Sequence, residues 1–191
     1  MNNIILASSS LYRRQLLKRL CLPFDWKSPN IDESVLLDES SEEYVKRLSL
    51  EKAHAVAKNY NNYFVLGSDQ VAIFEQEIIG KPLTHNNAYS QLKKFSGKRV
   101  KFLTGVALVN RSQKIERFVS SEVLVNFRSL SGNEIESYLI KDKPFDCAGS
   151  FKVESLGISL FESVCSDDPT SLEGLPLIKV SSLLREAGFK I

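Results

Sequence analysis

Residues that build metal centres and disulfide frameworks are scarce in this chain. Its three cysteines, Cys21, Cys147 and Cys165, lie far apart and form no C-x-x-C pair. An odd number at such spacing suggests neither a disulfide framework nor a zinc site, and the expected compartment is a reducing cytoplasm. The two histidines, His54 and His85, stand alone, so surface or structural roles are expected for them before metal ligation. No apolar run is long enough to cross a bilayer, so no membrane partner is expected. The start, Met1-Asn2-Asn3, lacks the charged region of a secretory signal. Lysine and arginine are spread along the chain at a formal net charge of +2, and no basic block marks a nucleic-acid partner. Three phosphate- and nucleophile-bearing patterns are missing too. Gly80-Lys81 runs into Pro82 without an upstream glycine loop, and neither G-x-G-x-x-G nor G-x-S-x-G occurs. Kinases, Rossmann dehydrogenases and α/β-hydrolases are therefore disfavoured.

What is present is an ordinary globular composition, 43% hydrophobic and 25% charged, in 191 residues. That is enough for one sizeable core. The stretch from Tyr63 to Pro82 organises the rest. Phe64, Val65, Leu66, Val71, Ile73 and Phe74 mark a buried strand. Side chains alternate along a strand, so Asp69 shares a face with Val65, Val71 and Ile73. A carboxylate on an apolar strand is costly unless something pairs with it. Gly67, two residues earlier, admits a close approach by another chain segment or a ligand. Two readings stay open: an acid bonded to nearby backbone, or a catalytic acid or metal ligand faced by a lysine such as Lys81.

Taken in order, Asn3 to Ala7 reads as a strand, Ser8-Ser9-Ser10 as a turn and Leu11 to Cys21 as a helix with Leu16, Leu17 and Leu20 inward. Ser9 or Ser10 can cap that helix, and a strand–turn–helix start suits an anion. Arg13 and Arg14 fall in the first turn, where cations oppose the helix dipole; either an anion sits beside them or both are solvated. Phe24 to Ser28 is a second strand, and residues 29–34 form a polar loop with Asp32 and Glu33. A long helix from Ser41 to Tyr60 carries an apolar stripe of Val45, Leu48, Ala55 and Val56. Lys52 lies on that stripe, either snorkelling outward or aimed into a site. Beyond the central strand come a helix from Asn86 to Phe95 and two β-rich runs, Arg99 to Val109 and Ile115 to Phe127, joined as a hairpin. Thr104-Gly105 marks a bulge or a close approach. Ser131 to Ile140 is a helix with Ser131 and Glu134 at capping-box spacing. A loop from Asp142 to Glu154, a strand from Gly157 to Val164 and a final amphipathic helix ending near Ala187-Gly188 complete the chain. With no repeat and no linker, residues 1–191 are expected to form a single α/β domain with a mixed, elongated sheet.

The inward-leaning charges are Arg13, Glu33, Lys52, Asp69 and Lys81, with Asp168 as a weaker member. Acids and cations at one site suit phosphoryl chemistry: carboxylates hold a divalent ion and orient water, and Arg and Lys neutralise phosphate oxygens. Eight short motifs then occur in one order. Leu6-Ala7-Ser8-Ser9-Ser10 runs on to Arg13-Arg14 and Leu16-Leu17. Asp32-Glu33, Lys52-Ala53, Ser68-Asp69-Gln70-Val71 and Gly80-Lys81-Pro82 follow. Thr104-Gly105, Ala148-Gly149-Ser150-Phe151, and Asp168 before Gly174-Leu175-Pro176 close the series.

That order resembles the Maf family of nucleotide pyrophosphatases over nearly the whole chain. The resemblance implies the Maf/inosine-triphosphatase-like fold: an elongated mixed β-sheet flanked by helices, in two lobes with a central cleft. It implies hydrolysis of a nucleoside triphosphate to the monophosphate and pyrophosphate with a divalent metal cation, Mg²⁺ or Mn²⁺. By motif, Asp69 corresponds to the proton acceptor; Arg13, Lys52 and Lys81 to phosphate-binding positions; and Glu33 to a metal- or water-positioning acid. The expected site is thus Asp69, Glu33, Lys52 and Lys81 for catalysis, and Glu33 and Asp69 for the metal. Ser8, Arg13, Arg14, Tyr12, Gln70 and Glu154 are the residues expected to bind substrate. One departure is Leu11, where the family usually has proline, which would preset the first helical turn.

Tyr12, Gln70 and Glu154 stand at positions that separate branches of the family. The pyrimidine-nucleotide branch commonly has threonine after the catalytic aspartate and glutamine in place of Glu154. The combination here is similar to the branch acting on 7-methyl-GTP. A glutamate accepts from guanine N1–H and N2–H₂, whereas uracil and thymine offer N3–H between two acceptors. N7-methylation makes the base cationic, and a desolvated contact with the Tyr12 ring would contribute about 2 kcal/mol; ordinary packing of Tyr12 is the alternative. Two other functions remain as rivals: a dTTP/UTP pyrophosphatase of the same family, and a non-catalytic nucleotide-binding regulator of septum formation. The partner expected is a nucleoside triphosphate, with a homodimer left open.

Overall fold

Residues 3–191 are described by the computed structural model; Met1 and Asn2, part of the uncharged start, lie outside them. Among the described residues, seven strands build one mixed sheet: β1 (Ile4–Ala7), β2 (Phe24–Lys27), β3 (Phe64–Phe74), β4 (Glu77–Ile79), β5 (Arg99–Asn110), β6 (Ile115–Phe127) and β7 (Phe161–Ser166). Their order is β2-β1-β3-β5-β6-β7, with β4 also on β3. β1 pairs parallel with both β2 and β3, whereas β3–β4 and β6–β7 are antiparallel. The neighbours β5 and β6 are joined by residues 111–114, too short for a parallel crossover, so they form the expected hairpin. The α-helices among the described residues are α1 (Leu11–Lys18), α2 (Ser41–Ala57), α3 (His85–Phe95), α4 (Gly132–Asp142) and α5 (Leu177–Glu186).

The chain divides into two compact units. Unit one comprises Met1–Gln70, Thr104–Ser121 and Asp168–Ile191; unit two comprises Val71–Leu103 and Glu122–Asp167. Within unit one the strand alternation sorts residues cleanly. Ile4 and Leu6 of β1, Phe64 and Leu66 of β3, and Val106 and Leu108 of β5 pack with Leu16 and Leu17 of α1 and with Val180, Leu183 and Leu184 of α5. Their sequence neighbours Ile5, Ala7, Val65, Ala107 and Val109 face the other way, onto Ala53, Val56 and Ala57 of α2. That second face is rich in small residues, which lets α2 approach closely. Unit two is filled by rings instead: Phe95 packs on Phe74 and Phe127, and Phe151 on Phe102, Phe127 and Phe161, at centroid separations of 4.8–5.9 Å.

Several boundaries differ from the sequence reading. α1 ends at Lys18 rather than Cys21, because Cys21 takes a left-handed conformation at φ 54°. α2 ends at Ala57, and its capping box is Ser40 with Glu43. Its buried stripe runs through Val45, Leu48, Ser49, Lys52, Ala53 and Val56, while Ala55 is only partly buried. Ala53 lies four residues after Ser49 and three before Val56, on that stripe, whereas Ala55 lies only at its edge. The apolar run at Gly157 is a 3₁₀ turn over Leu156–Leu160, and β7 starts only at Phe161. Gly157 packs on the Lys152 backbone, where a Cβ would stand 2.4 Å from the carbonyl oxygen.

Candidate active site

The site is built by the close packing of α2 on β3. A Cβ at Gly67 would lie 2.2 Å from the Ser49 carbonyl oxygen and 2.6 Å from the Ala53 nitrogen. Gly67 therefore admits the α2 backbone, which settles what approaches it. Replacing Gly67 by alanine is expected to push α2 outward and destabilise the fold by about 1–3 kcal/mol, as overpacking does. A urea titration would register this as a lower midpoint; an unchanged midpoint would show that α2 yields without cost.

With α2 held this close, Lys52 reaches Asp69 two residues beyond Gly67. Lys52 Nζ donates to Asp69 Oδ1 at 2.6 Å and pairs with Glu33 Oε1 at 2.8 Å. Lys52 is 4% exposed and Asp69 6% exposed. A buried ammonium and a buried carboxylate compensate each other only at such contact distances. The Asp69 amide donates to Ser49 Oγ at 3.2 Å, so α2 also fixes the strand backbone at this point. The lysine that faces the Asp69 carboxylate is Lys52.

Arg13 belongs to the same neighbourhood. Burial lowers its pKa, and the Asp69 and Glu33 carboxylates pull it back up. Its Nε donates to the Gly174 carbonyl oxygen at 2.8 Å, which also accepts from Ser68 Oγ at 3.2 Å. Gly174 has φ +102°, a conformation open to glycine, and this turns its carbonyl toward both donors. The Gly174-Leu175-Pro176 motif is thus a support for Arg13. Asp168, the weaker candidate, is fully buried, and its Oδ2 accepts from the Ile178 and Lys179 amides at 2.8 and 3.2 Å. It caps α5, whose own N-cap position is Pro176 without a capping side chain.

The other predicted residues are placed as follows. Ser8 is buried and its Oγ accepts from the Ser10 amide, while Ser10 caps α1 through the Arg13 amide. Tyr12 and Arg14 are partly buried on α1, and the Arg14 guanidinium lies 4.1 Å from the Trp26 ring centroid. The Gln70 amide group donates to Thr104 Oγ1 and to the Ser171 carbonyl, both at 2.9 Å. Thr104 Oγ1 donates to the same Ser171 carbonyl at 3.0 Å, so the Thr104 motif joins β5 to the 3₁₀ turn Pro169–Glu173. Lys81 and Glu154 belong to unit two, and both are exposed. The turn bearing Lys81 is held by Gln91 on the Gly80 carbonyl and Asn87 on the Pro82 carbonyl. In the Ala148–Phe151 motif, Gly149 has φ +76° against the Phe102 ring, and Phe151 joins the aromatic core.

Three residues escaped the sequence reading. Tyr44 donates from its hydroxyl to the Glu33 carbonyl at 2.8 Å. Burial first, then the Asp69 and Glu33 charges, push its pKa up to about 12. Ser49 supports Asp69 and Arg47 holds the loop that carries Glu33. The usable signal was spacing: Tyr44, Leu48, Ser49 and Lys52 share one helix face.

The model of the Maf-like protein family matches residues 3–187. The chain belongs to the Maf-like family. Within it, a 7-methyl-GTP pyrophosphatase of Pseudomonas aeruginosa is 50% identical over 191 residues, covering 100% of both chains. One from Pseudomonas savastanoi pv. phaseolicola is 49% identical, also over 100% of both. Among solved structures, a HAM1 protein from Coxiella burnetii shares the fold at a TM-score of 0.56 and 16% identity, covering 97% of this Maf-like chain and 100% of its own. No helix among the described residues is long and apolar enough to cross a membrane.

Proposed function

We propose that this Maf-like protein hydrolyses the anhydride between the α and β phosphates of a nucleoside triphosphate, preferring 7-methyl-GTP. The observation that carries this reading is the buried Lys52 ammonium held between Asp69 and Glu33 with Arg13 in the same field. The relatives' name supplies the substrate.

Glu33 and Asp69 are the residues that would hold Mg²⁺ or Mn²⁺. Among the described residues no group of three metal-ligating side chains occurs, so the protein offers two hard carboxylates. That fits a Mg²⁺-type ion completed by substrate phosphates and water. Such an ion, when bound, polarises the α-phosphate and offsets its charge. Asp69 takes a proton from the attacking water as the new oxygen–phosphorus bond forms and the bridging bond breaks. Lys52 and Arg13 balance charge on the departing pyrophosphate. Tyr12 faces the methylated base, and Ser8, Arg14 and Gln70 complete the substrate contacts, while Glu154 is the position that separates the guanine branch from the pyrimidine branch.

A pyrophosphate-release assay over 7-methyl-GTP, GTP, UTP and dTTP, with Mg²⁺ and with Mn²⁺, tests the reading. The wild type is expected to favour 7-methyl-GTP, and Glu154→Gln to shrink that preference about tenfold, the effect of about 1.4 kcal/mol. Preference for UTP or dTTP would transfer the chain to the pyrimidine branch. Nucleotide binding without release under every condition would support the non-catalytic regulator instead.

A further inference from the structure

Residues 31–40 carry Glu33 and form no helix or strand. Most of the segment is exposed, and Leu37 is 94% exposed. Such a segment gains little from apolar burial, so polar contacts decide where Glu33 stands. Two side chains of α2 supply them at consecutive carbonyls. Tyr44 Oη donates to the Glu33 carbonyl at 2.8 Å, and Arg47 Nη2 to the Ser34 carbonyl at 3.0 Å. Arg47 is set in turn by Glu39, from the far end of the segment. Its Nε meets Oε1 at 2.5 Å and its Nη2 meets Oε2 at 2.7 Å, a two-pronged fork. Glu39 Oε2 also accepts the Leu36 amide at 3.1 Å.

This is not the usual surface ion pair. The Arg47 and Glu39 side chains are 20% and 7% exposed. One guanidinium joins both ends of the segment to the helix that carries Lys52. A lysine in place of Arg47 has a point charge and cannot present the planar fork. Tyr44 and Arg47 are one helical turn apart, with the guanidinium carbon 5.5 Å from the Tyr44 ring centroid, so the two attachments act together.

We propose that Arg47 and Glu39 form a latch that positions Glu33 against Lys52, with Tyr44 as its second point of attachment. The inference rests on the proposed function, in which Glu33 takes part in the reaction. Arg47 and Glu39 are positioning residues, acting through Glu33.

The experiment compares Arg47→Ala, Arg47→Lys, Glu39→Gln and the Glu39→Gln/Arg47→Ala double variant with wild type. Arg47→Ala and Glu39→Gln are expected to lower kcat by about 10- to 100-fold, the range for residues that orient a metal or catalytic ligand. KM for 7-methyl-GTP should change little, while half-saturating Mn²⁺ rises. Arg47→Lys should fall between, and the double variant should be no worse than Arg47→Ala. In metal-free, nucleotide-free protein, amide hydrogen exchange should speed up over residues 31–40 and stay unchanged in α2. Wild-type kcat together with wild-type exchange over residues 31–40 would overturn the latch. So would faster exchange spread through α2 with a lowered Tm, because that marks a structural role only. If wild type releases no pyrophosphate from any nucleotide, the proposed function fails, and the exchange measurement still decides whether the latch exists.

Discussion

Asp69→Asn is expected to cut pyrophosphate release by about 10²- to 10⁴-fold, the usual loss when a general base is removed. Asparagine fills the same space and can still accept at one oxygen, but it cannot take a proton from water. The buried Lys52 would lose its 2.6 Å carboxylate partner yet keep Glu33 at 2.8 Å. The variant should therefore fold, with a lowered Tm. Single-turnover assays at saturating nucleotide and metal would separate chemistry from binding. Turnover near the wild-type rate would remove Asp69 from the mechanism, whatever happened to stability.

Lys52→Met should have an effect as large, for a different reason. Methionine keeps the unbranched shape but removes the cation that two carboxylates share. Removing one partner of a buried pair costs about 3–5 kcal/mol. That range applies to Asp69, whose side chain is only 8% exposed, whereas the Glu33 side chain, 45% exposed, can turn to water. For a chain of this size each kcal/mol lowers Tm by about 2–4 °C. Loss of a preorganised charge facing the developing negative charge costs about 10²- to 10³-fold in kcat. A divalent ion should restore part of the stability. Occupancy at one hundred times Kd contributes about 2.7 kcal/mol. Mn²⁺ is thus expected to raise the Tm of the variant more than that of wild type. Equal Mn²⁺ shifts in both proteins would mean that the ion does not sit between Glu33 and Asp69.

The sequence carried the architecture well because its signals are local. The β-favouring run Phe64–Phe74, the paired β-runs around residues 111–114, and the Ser131–Glu134 capping box each depend on neighbours in the chain. Boundaries slipped where tertiary context overrode them. Cys21 and Gly157 sit in runs that suit a helix and a strand, but one ends α1 and the other packs in a 3₁₀ turn on Lys152.

The site was legible only in part. An acid on an apolar strand and a lysine on an apolar helix stripe both announce a cost that something must offset, and Asp69 and Lys52 offset each other. Gly67 was readable as a point of close approach. That α2 is what approaches could not be read, because it depends on which small residues face which across the sheet. Asp168 looked like a candidate acid; its oxygens turn out to cap α5, through contacts 10 and 11 residues along the chain. Residue types and periodicity by themselves determined the main helices and strands, most of the core and the charged side chains in want of partners. Folding alone decided the pairing of Lys52 with both Asp69 and Glu33, the service of Gly174 to Arg13 and the hold of Arg47 on the Glu33 segment, because each joins residues whose distance in space no pattern along the chain encodes.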